Sequence, residues 1–266
     1  MFDTHAHYNN GRYDAEYPGG VKAMIRDVYA AGVTGVVNVG WDIESSKLAS
    51  AQSMEYPGRM YAAAGMHPSD AQKVRRFDAS LAELDELLAK RRELNIVALG
   101  EIGLDYHYED TDRIKQKIMF RKQMELAEKH GVPVIIHDRD AHADSLAVIR
   151  EFPAVTCVLH SFSGSAEMAK EAVSLGCYIS FSGTVSFKNA PKVRAAAAVV
   201  PKDRLLVETD CPYLAPHPHR GEMNHSGLMR FTLEALAAAR GETPEETERI
   251  TTENALRFFG IEGIKE

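Results

Sequence analysis

Ile96-Val-Ala-Leu-Gly-Glu101, continued by Ile102-Gly-Leu-Asp-Tyr106, sets a carboxylate at the end of an apolar run. A run of that length bounded by Gly100 and Gly103 reads as a buried core strand, with Glu101 where the strand meets its loop. An ionised carboxyl in such a place costs several kcal/mol unless a cation meets it, and no Lys or Arg occurs between Val97 and Tyr108. Either a side chain from elsewhere in the chain meets Glu101, or a metal does. The plain alternative is a solvated loop carboxylate, and the other strands decide between these readings.

This run is the fourth of eight similar ones. Before it come Phe2–His7, Val33–Gly40 and Met60–Met66; after it come Val132–His137, Ala154–His160, Cys177–Phe181 and Arg204–Asp210. Helical patterns fill the gaps. The first begins near Pro18, suited to a first helical turn, and ends at Ala31-Gly32; the second runs over about 42–56. Leu81, Leu84, Leu87 and Leu88 share one helical face, and Thr111 or Asp112 can cap a long helix ending at His130-Gly131. Further helices fall near 165–175, 189–199, 226–240 and 244–258. Buried strands that each precede a helix specify a parallel sheet covered by helices, and closed on itself this is an α/β fold of the (β/α)8 TIM-barrel type. The chain is expected to form one domain over residues 1–266. An open doubly wound sheet shares the alternation, but the GxGxxG fingerprint of a dinucleotide fold is absent from the sequence.

Composition limits the function. A net charge of -7 argues against a broad nucleic-acid-binding face, so any nucleic acid must be held locally. The first apolar residues meet polar ones within three positions and no run of 18 apolar residues follows, so neither a signal peptide nor a membrane span is expected, and the location is expected to be cytoplasmic. Cys157, Cys177 and Cys211, without CxxC spacing, read as reduced core thiols.

Barrel active sites are assembled at the C-terminal ends of the strands. Here those ends supply His5 and His7 on the first strand, His67 on the third, Glu101, His137, His160 and, on the eighth, Asp210. Any one of these histidines alone could be a satisfied core residue; gathered at strand termini with two carboxylates, they point to metal. His5 and His7 lie two apart on a strand, about 6.5–7 Å at the backbone, close enough to share one ion. Ligands spread around the ring are too many for one ion, so two divalent cations are expected, bridged by Glu101. Such a pair activates water for hydrolysis. Asp210 is placed to ligate a cation or to orient the water and accept its proton. If the strands are regular, Asp3 and Glu208 point inward beneath the cations as supports, with a buried salt bridge as the alternative. Ser161-Phe-Ser-Gly164-Ser165 and Ser180-Phe-Ser-Gly183-Thr184 resemble each other and could cradle a phosphate, with Lys188 adding charge, or could be ordinary turns. His217-Pro-His219 follows a strand and reads as loop decoration.

Asp3-Thr-His-Ala-His7, Gly65-Met-His-Pro68, Gly100-Glu-Ile-Gly-Leu-Asp-Tyr106, Pro133-Val-Ile-Ile-His-Asp-Arg-Asp-Ala141, His160-Ser-Phe-Ser-Gly164 and Glu208-Thr-Asp-Cys-Pro-Tyr-Leu-Ala-Pro216 span most of the chain. Together they resemble the TatD family of metal-dependent deoxyribonucleases, within the amidohydrolase-like barrels. The resemblance implies that His5, His7, Glu101 and Asp210 hold one cation and Glu101, His137 and His160 the other. It implies that His67 and Asp105 line the substrate pocket, with Lys188 and Arg220 near the phosphate. The implied activity is Mg2+- or Mn2+-dependent hydrolysis of DNA phosphodiesters from a 3′ end. Donor type alone leaves zinc, manganese and magnesium open. One departure stands out: where the family's Arg-Gly loop continues with basic residues, this chain has Arg220-Gly-Glu-Met-Asn224, with Glu222 at a phosphate-contact position. Two rivals follow: the same barrel acting on a small ester, lactone or amide, including a D-aminoacyl ester, and a non-catalytic binding protein.

Overall fold

The computed structural model describes residues 1–262, so the last four positions of the expected 1–266 domain lie outside the described residues. The eight strands are β1 (Phe2–Ala6), β2 (Gly35–Val39), β3 (Met60–Ala64), β4 (Ile96–Asp105), β5 (Val134–Arg139), β6 (Cys157–Leu159), β7 (Tyr178–Phe181) and β8 (Leu205–Val207). They pair in sequence order, all parallel. The last gap is closed past the end of β8, where Asp210 N–H donates to the His5 carbonyl and His7 N–H to that of Cys211, each at 2.9 Å. The result is the expected (β/α)8 TIM barrel and not the open sheet that shares its alternation of runs.

Around the strands run α1 (Arg12–Glu16), α2 (Gly20–Ala30), α3 (Ile43–Glu55), α4 (Pro68–Ala71), α5 (Phe77–Ala89), α6 (Arg113–His130), α7 (His142–Glu151), α8 (Ala166–Ser174), α9 (Pro191–Val199), α10 (Met229–Arg240) and α11 (Pro244–Phe259). Their ends follow local chemistry. Asp42 and Ser45 form a reciprocal cap on α3, the Asp112 side chain accepts the Lys115 N–H at the start of α6, and Gly131 ends α6 in the left-handed region. Alternate strand residues point into the barrel, where Phe2, Val37, Tyr61, Ile135, Tyr178 and Leu206 meet Phe258 and Phe259 from α11. The other faces pack under the helices.

Two expectations are corrected. Strand β4 does not end at Glu101. It slips register between Leu99 and Ile102, then continues to Asp105 against β5. Gly100 and Gly103, which read as boundaries, instead allow the strand to pass close to β5. Gly103 has φ 141°, and a Cβ there would lie 2.0 Å from the His137 carbonyl oxygen. Glu101 therefore stands on a bulge inside a strand, which fixes its carboxylate more firmly than a loop would. The first helix does not begin at Pro18 either. Pro18 lies in a turn between α1 and α2, where Gly19 takes φ 85° and the Asp14 side chain accepts the Val21 N–H.

Candidate metal centre

The seven side chains read from the strand ends converge at the C-terminal mouth, and six of them, His7, His67, Glu101, His137, His160 and Asp210, help to line a cleft of about 770 Å3. His5 lies deeper, fully buried. Strand β1 is bulged between Asp3 and Ala6, and the Nε2 atoms of His5 and His7 converge to 3.1 Å. The Val39 carbonyl takes the His7 Nδ1 hydrogen at 2.9 Å, leaving the Nε2 lone pair facing the cluster.

Glu101 divides its two oxygens between opposite groups. Oε1 lies 2.7 Å from His137 Nδ1 and 2.7 Å from His160 Nε2. Oε2 lies 3.5 Å from His5 Nε2 and 3.7 Å from His7 Nε2. Asp210 Oδ1 completes the second group, 3.5 Å from His7 and 3.8 Å from His5. His5, His7 and Asp210 form one set whose donor atoms lie within 4.8 Å of one another, and Glu101, His137 and His160 form another.

Charge bears on what this cluster can hold. Glu101, Asp105, Glu208 and Asp210 gather there, and among the described residues no Lys or Arg makes an ion pair with any of them. Imidazoles must supply the positive charge, or a cation must. Burial opposes ionisation of Glu101, yet the field of His160 and the bonds from His137 and His160 hold its carboxyl well below the usual range. The same contest lifts His137 to about 9, where burial is outweighed by the Asp105 and Glu101 carboxylates. Burial dominates at His67 and pushes it down to about 3. Two buried atoms, His5 Nδ1 and Glu208 Oε2, have no hydrogen-bond partner among the described residues. Paired carboxylates and convergent imidazole nitrogens fit a divalent cation in each set.

The supporting residues divide. Glu208 accepts the Ser161 N–H at 2.7 Å and lies 3.2 Å from His160 Nδ1, so it orients that ring from below. Asp3 does not join the cluster, because the bulge in β1 breaks the regular alternation on which that expectation rested. Its carboxylate instead accepts from Thr209 Oγ1 and Ser226 Oγ, both at 2.6 Å, and from the His5 and Thr209 N–H groups, bracing the two segments that carry His5 and Asp210.

Asp105 lies 3.3 Å from His137 Nε2 and lines the cleft beside His67. Lys188 and Arg220 are exposed and are not among the residues of the cleft wall; Arg220 stacks 3.9 Å over Phe187, the neighbour of Lys188. The two serine loops touch through Ser161 and Ser182 hydroxyls at 2.8 Å, with Thr184 next in line at 3.1 Å. Ser161, Ser163 and Thr184 line the cleft. His219 of the second HxH pairs with Glu222 at 2.9 Å, away from the cluster.

Sequence reasoning missed Trp41, Tyr108, Arg139 and Tyr213, which also line the cleft. Arg139 follows His137 by two residues on β5, so strand parity could have found it. The aromatic residues sit on loops and carried no periodic signal. Tyr108 and Tyr213 are about half exposed, at 53% and 48%, and the Arg139 guanidinium lies 5.7 Å over the Tyr108 ring.

Comparison with known proteins bears on this geometry. The family model described as TatD related DNase matches residues 2–260. The chain is 41% identical over 263 residues to the uncharacterized metal-dependent hydrolase YabD of Bacillus subtilis, covering 98% of this chain and 99% of YabD. It is 34% identical over 267 residues to the 3′-5′ ssDNA/RNA exonuclease TatD of Cronobacter sakazakii, covering 97% of each. Among solved structures, YjjV, a TatD homolog from Escherichia coli K12, matches with a TM-score of 0.89 and 29% identity over 98% of both chains.

Proposed function

The chain belongs to the TatD-related DNase family and is a metal-dependent hydrolase, and from this premise we propose that it hydrolyses DNA phosphodiesters from a 3′ end, acting as one domain in the cytoplasm. The observation that carries the reading is the division of Glu101, with one oxygen toward His137 and His160 and the other toward His5 and His7. His5, His7, Glu101 and Asp210 hold one divalent cation; Glu101, His137 and His160 hold the other. Mg2+ or Mn2+ serves the activity, and Zn2+ suits the same donors. Bound there, the cations supply Lewis acidity to the phosphate and acidify the attacking water.

The protein's own groups do the rest. Asp210, partly exposed at the cleft wall, orients the water and accepts its proton. Asp105 and His67 bound the pocket, while Ser161, Ser163 and Thr184 offer hydroxyls to phosphate oxygens. Trp41, Tyr108 and Tyr213 offer faces on which the bases of a single strand can stack. Lys188 and Arg220 meet the backbone further out. Among the described residues no helix is long and apolar enough to cross a membrane.

The second reading, hydrolysis of a small ester, lactone or amide such as a D-aminoacyl ester, draws on one observation. Arg139 is the only Lys or Arg on the wall of the cleft among the described residues, which suits a substrate smaller and less anionic than DNA. One experiment separates the two. Chelated protein is resupplied with Mg2+, Mn2+ or Zn2+ and given 3′- and 5′-labelled single-stranded DNA beside a generic ester, with Glu101→Ala as control. Shortening from the 3′ end, restored by metal and lost in the variant, is the expected result. Intact DNA with ester cleavage by the wild type alone would move the assignment to the second reading.

A further inference from the structure

Two histidines of the cleft are tied down by their Nδ1 atoms in opposite senses. At His7 the partner is the Val39 carbonyl oxygen, which can only accept, so Nδ1 carries the hydrogen and Nε2 keeps its lone pair. At His67 the partner is the Ser69 backbone N–H, 3.2 Å away, which can only donate. His67 Nδ1 must therefore keep its lone pair, and the ring hydrogen sits on Nε2. This bond is a helix cap: His67 is the N-cap of α4, with Pro68 in the first helical position.

The Nε2 atom is the end of the ring nearer the cluster. It stands 3.6 Å from Glu101 Oε1, beyond a good hydrogen bond, and it makes no hydrogen bond among the described residues. The ring meets that of His137 edge to face, with centroids 4.4 Å apart. By spacing alone, His67, Asp105 and His137 could hold a cation of their own, because their donor atoms lie within 4.8 Å of one another. The fixed tautomer opposes that use. Nδ1 is already occupied by the Ser69 N–H, and moving the proton from Nε2 to Nδ1 would set two N–H groups against each other.

We propose that His67 is a fixed hydrogen-bond donor, aiming Nε2–H at a non-bridging oxygen of the phosphodiester under attack, and not a ligand of a third cation. This rests on the hydrolase reading above for its substrate, though not for its tautomer. A donor held in place before the reaction meets the charge that develops on the phosphoryl oxygens without reorganising.

The test is His67→Asn. Asparagine is a favoured N-cap whose Oδ1 can still accept the Ser69 N–H, but it is too short to place a donor where Nε2 stood. The variant should bind as many cations per chain as the wild type by elemental analysis. Its kcat on single-stranded DNA should fall by about 10²–10³-fold, the loss typical of one oxyanion donor, with KM within a few-fold. In long-range 15N–1H spectra of the wild type, the ring signals absent from the variant should show hydrogen on Nε2, whereas those of His7 show it on Nδ1. Loss of one cation in the variant, hydrogen on Nδ1 of His67, or an unchanged kcat would each overturn the proposal. If the wild type cleaves no DNA, the nuclease reading falls by itself; the tautomer and the cation count still decide whether His67 is a donor or a ligand, and the ester then supplies the kcat.

Discussion

At its N-terminal mouth the barrel is closed by Phe258 and Phe259 of α11, packed on Phe2 and Tyr178, whereas at its C-terminal mouth the same strands present five histidines and four carboxylates around an open cleft. A second cleft, of about 590 Å3, does exist at the apolar end, lined by Arg91, Arg92 and Arg257. The C-terminal ends of α6 and α11 border it. Among the described residues no group of metal-binding side chains falls there. In a parallel barrel every strand enters at one end and delivers its loop at the other. Burial at the entry can therefore be spent on stability, while the exits tolerate charges that cost stability.

The largest expected effect tests that separation from the apolar side. Phe259→Ala removes a ring that is 5% exposed and stacks on Phe2 with centroids 6.2 Å apart. It should destabilise the fold by about 3–5 kcal/mol in denaturant unfolding. Cation affinity of the protein that remains folded should stay within a few-fold of the wild type. A loss of affinity as large as the loss of stability would mean that the two mouths are coupled, and the comparison would fail.

Next in size is a change beneath the cluster. Glu208 is fully buried and fixes His160 from below, so Glu208→Gln keeps the volume and an acceptor for the Ser161 N–H but weakens the hold on the imidazole. Cation affinity by calorimetric titration should fall by about 10–100-fold, the usual cost of losing such a partner. An affinity equal to that of the wild type would show that His160 is held in place without Glu208, by its stack on His5 and its contact with Glu101.

How much of this was legible follows from where the signals lie. The eight strands were, because β-branched and apolar runs such as Val132–His137 and Val33–Gly40 have few other uses, and α6 was, because Asp112 and Gly131 mark both of its ends. The gathering of His5, His7, Glu101, His137, His160 and Asp210 could be read from strand ends, since topology alone brings those ends together. The bulges in β1 and β4 could not. They depend on pairing with β2 and β5, and they turn Asp3 away from the cluster and carry β4 past Glu101. The short helices α1 and α4 gave no periodic pattern, so the capping role of His67 stayed hidden. Side chains on long loops were the least legible. Tyr108 and Tyr213 reach the cleft wall while Lys188 and Arg220 do not, and loop path rather than residue type decides which.

The smallest expected effect refines the comparison, because the C-terminal mouth also holds residues that serve only the fold. Asp112 stands at that end, exposed, and its side chain accepts the Lys115 N–H at 2.9 Å to start α6. Asp112→Ala leaves that N–H without its acceptor and should cost about 1 kcal/mol. For a chain of this length the melting temperature should fall by roughly 2–4 °C. No atom of Asp112 lines the cleft, so kcat and cation affinity should not change. If kcat falls with the melting temperature, then the start of α6 also sets the position of Tyr108 and the loop that carries it, and the division between chemistry and stability runs through single loops rather than between the two ends of the barrel.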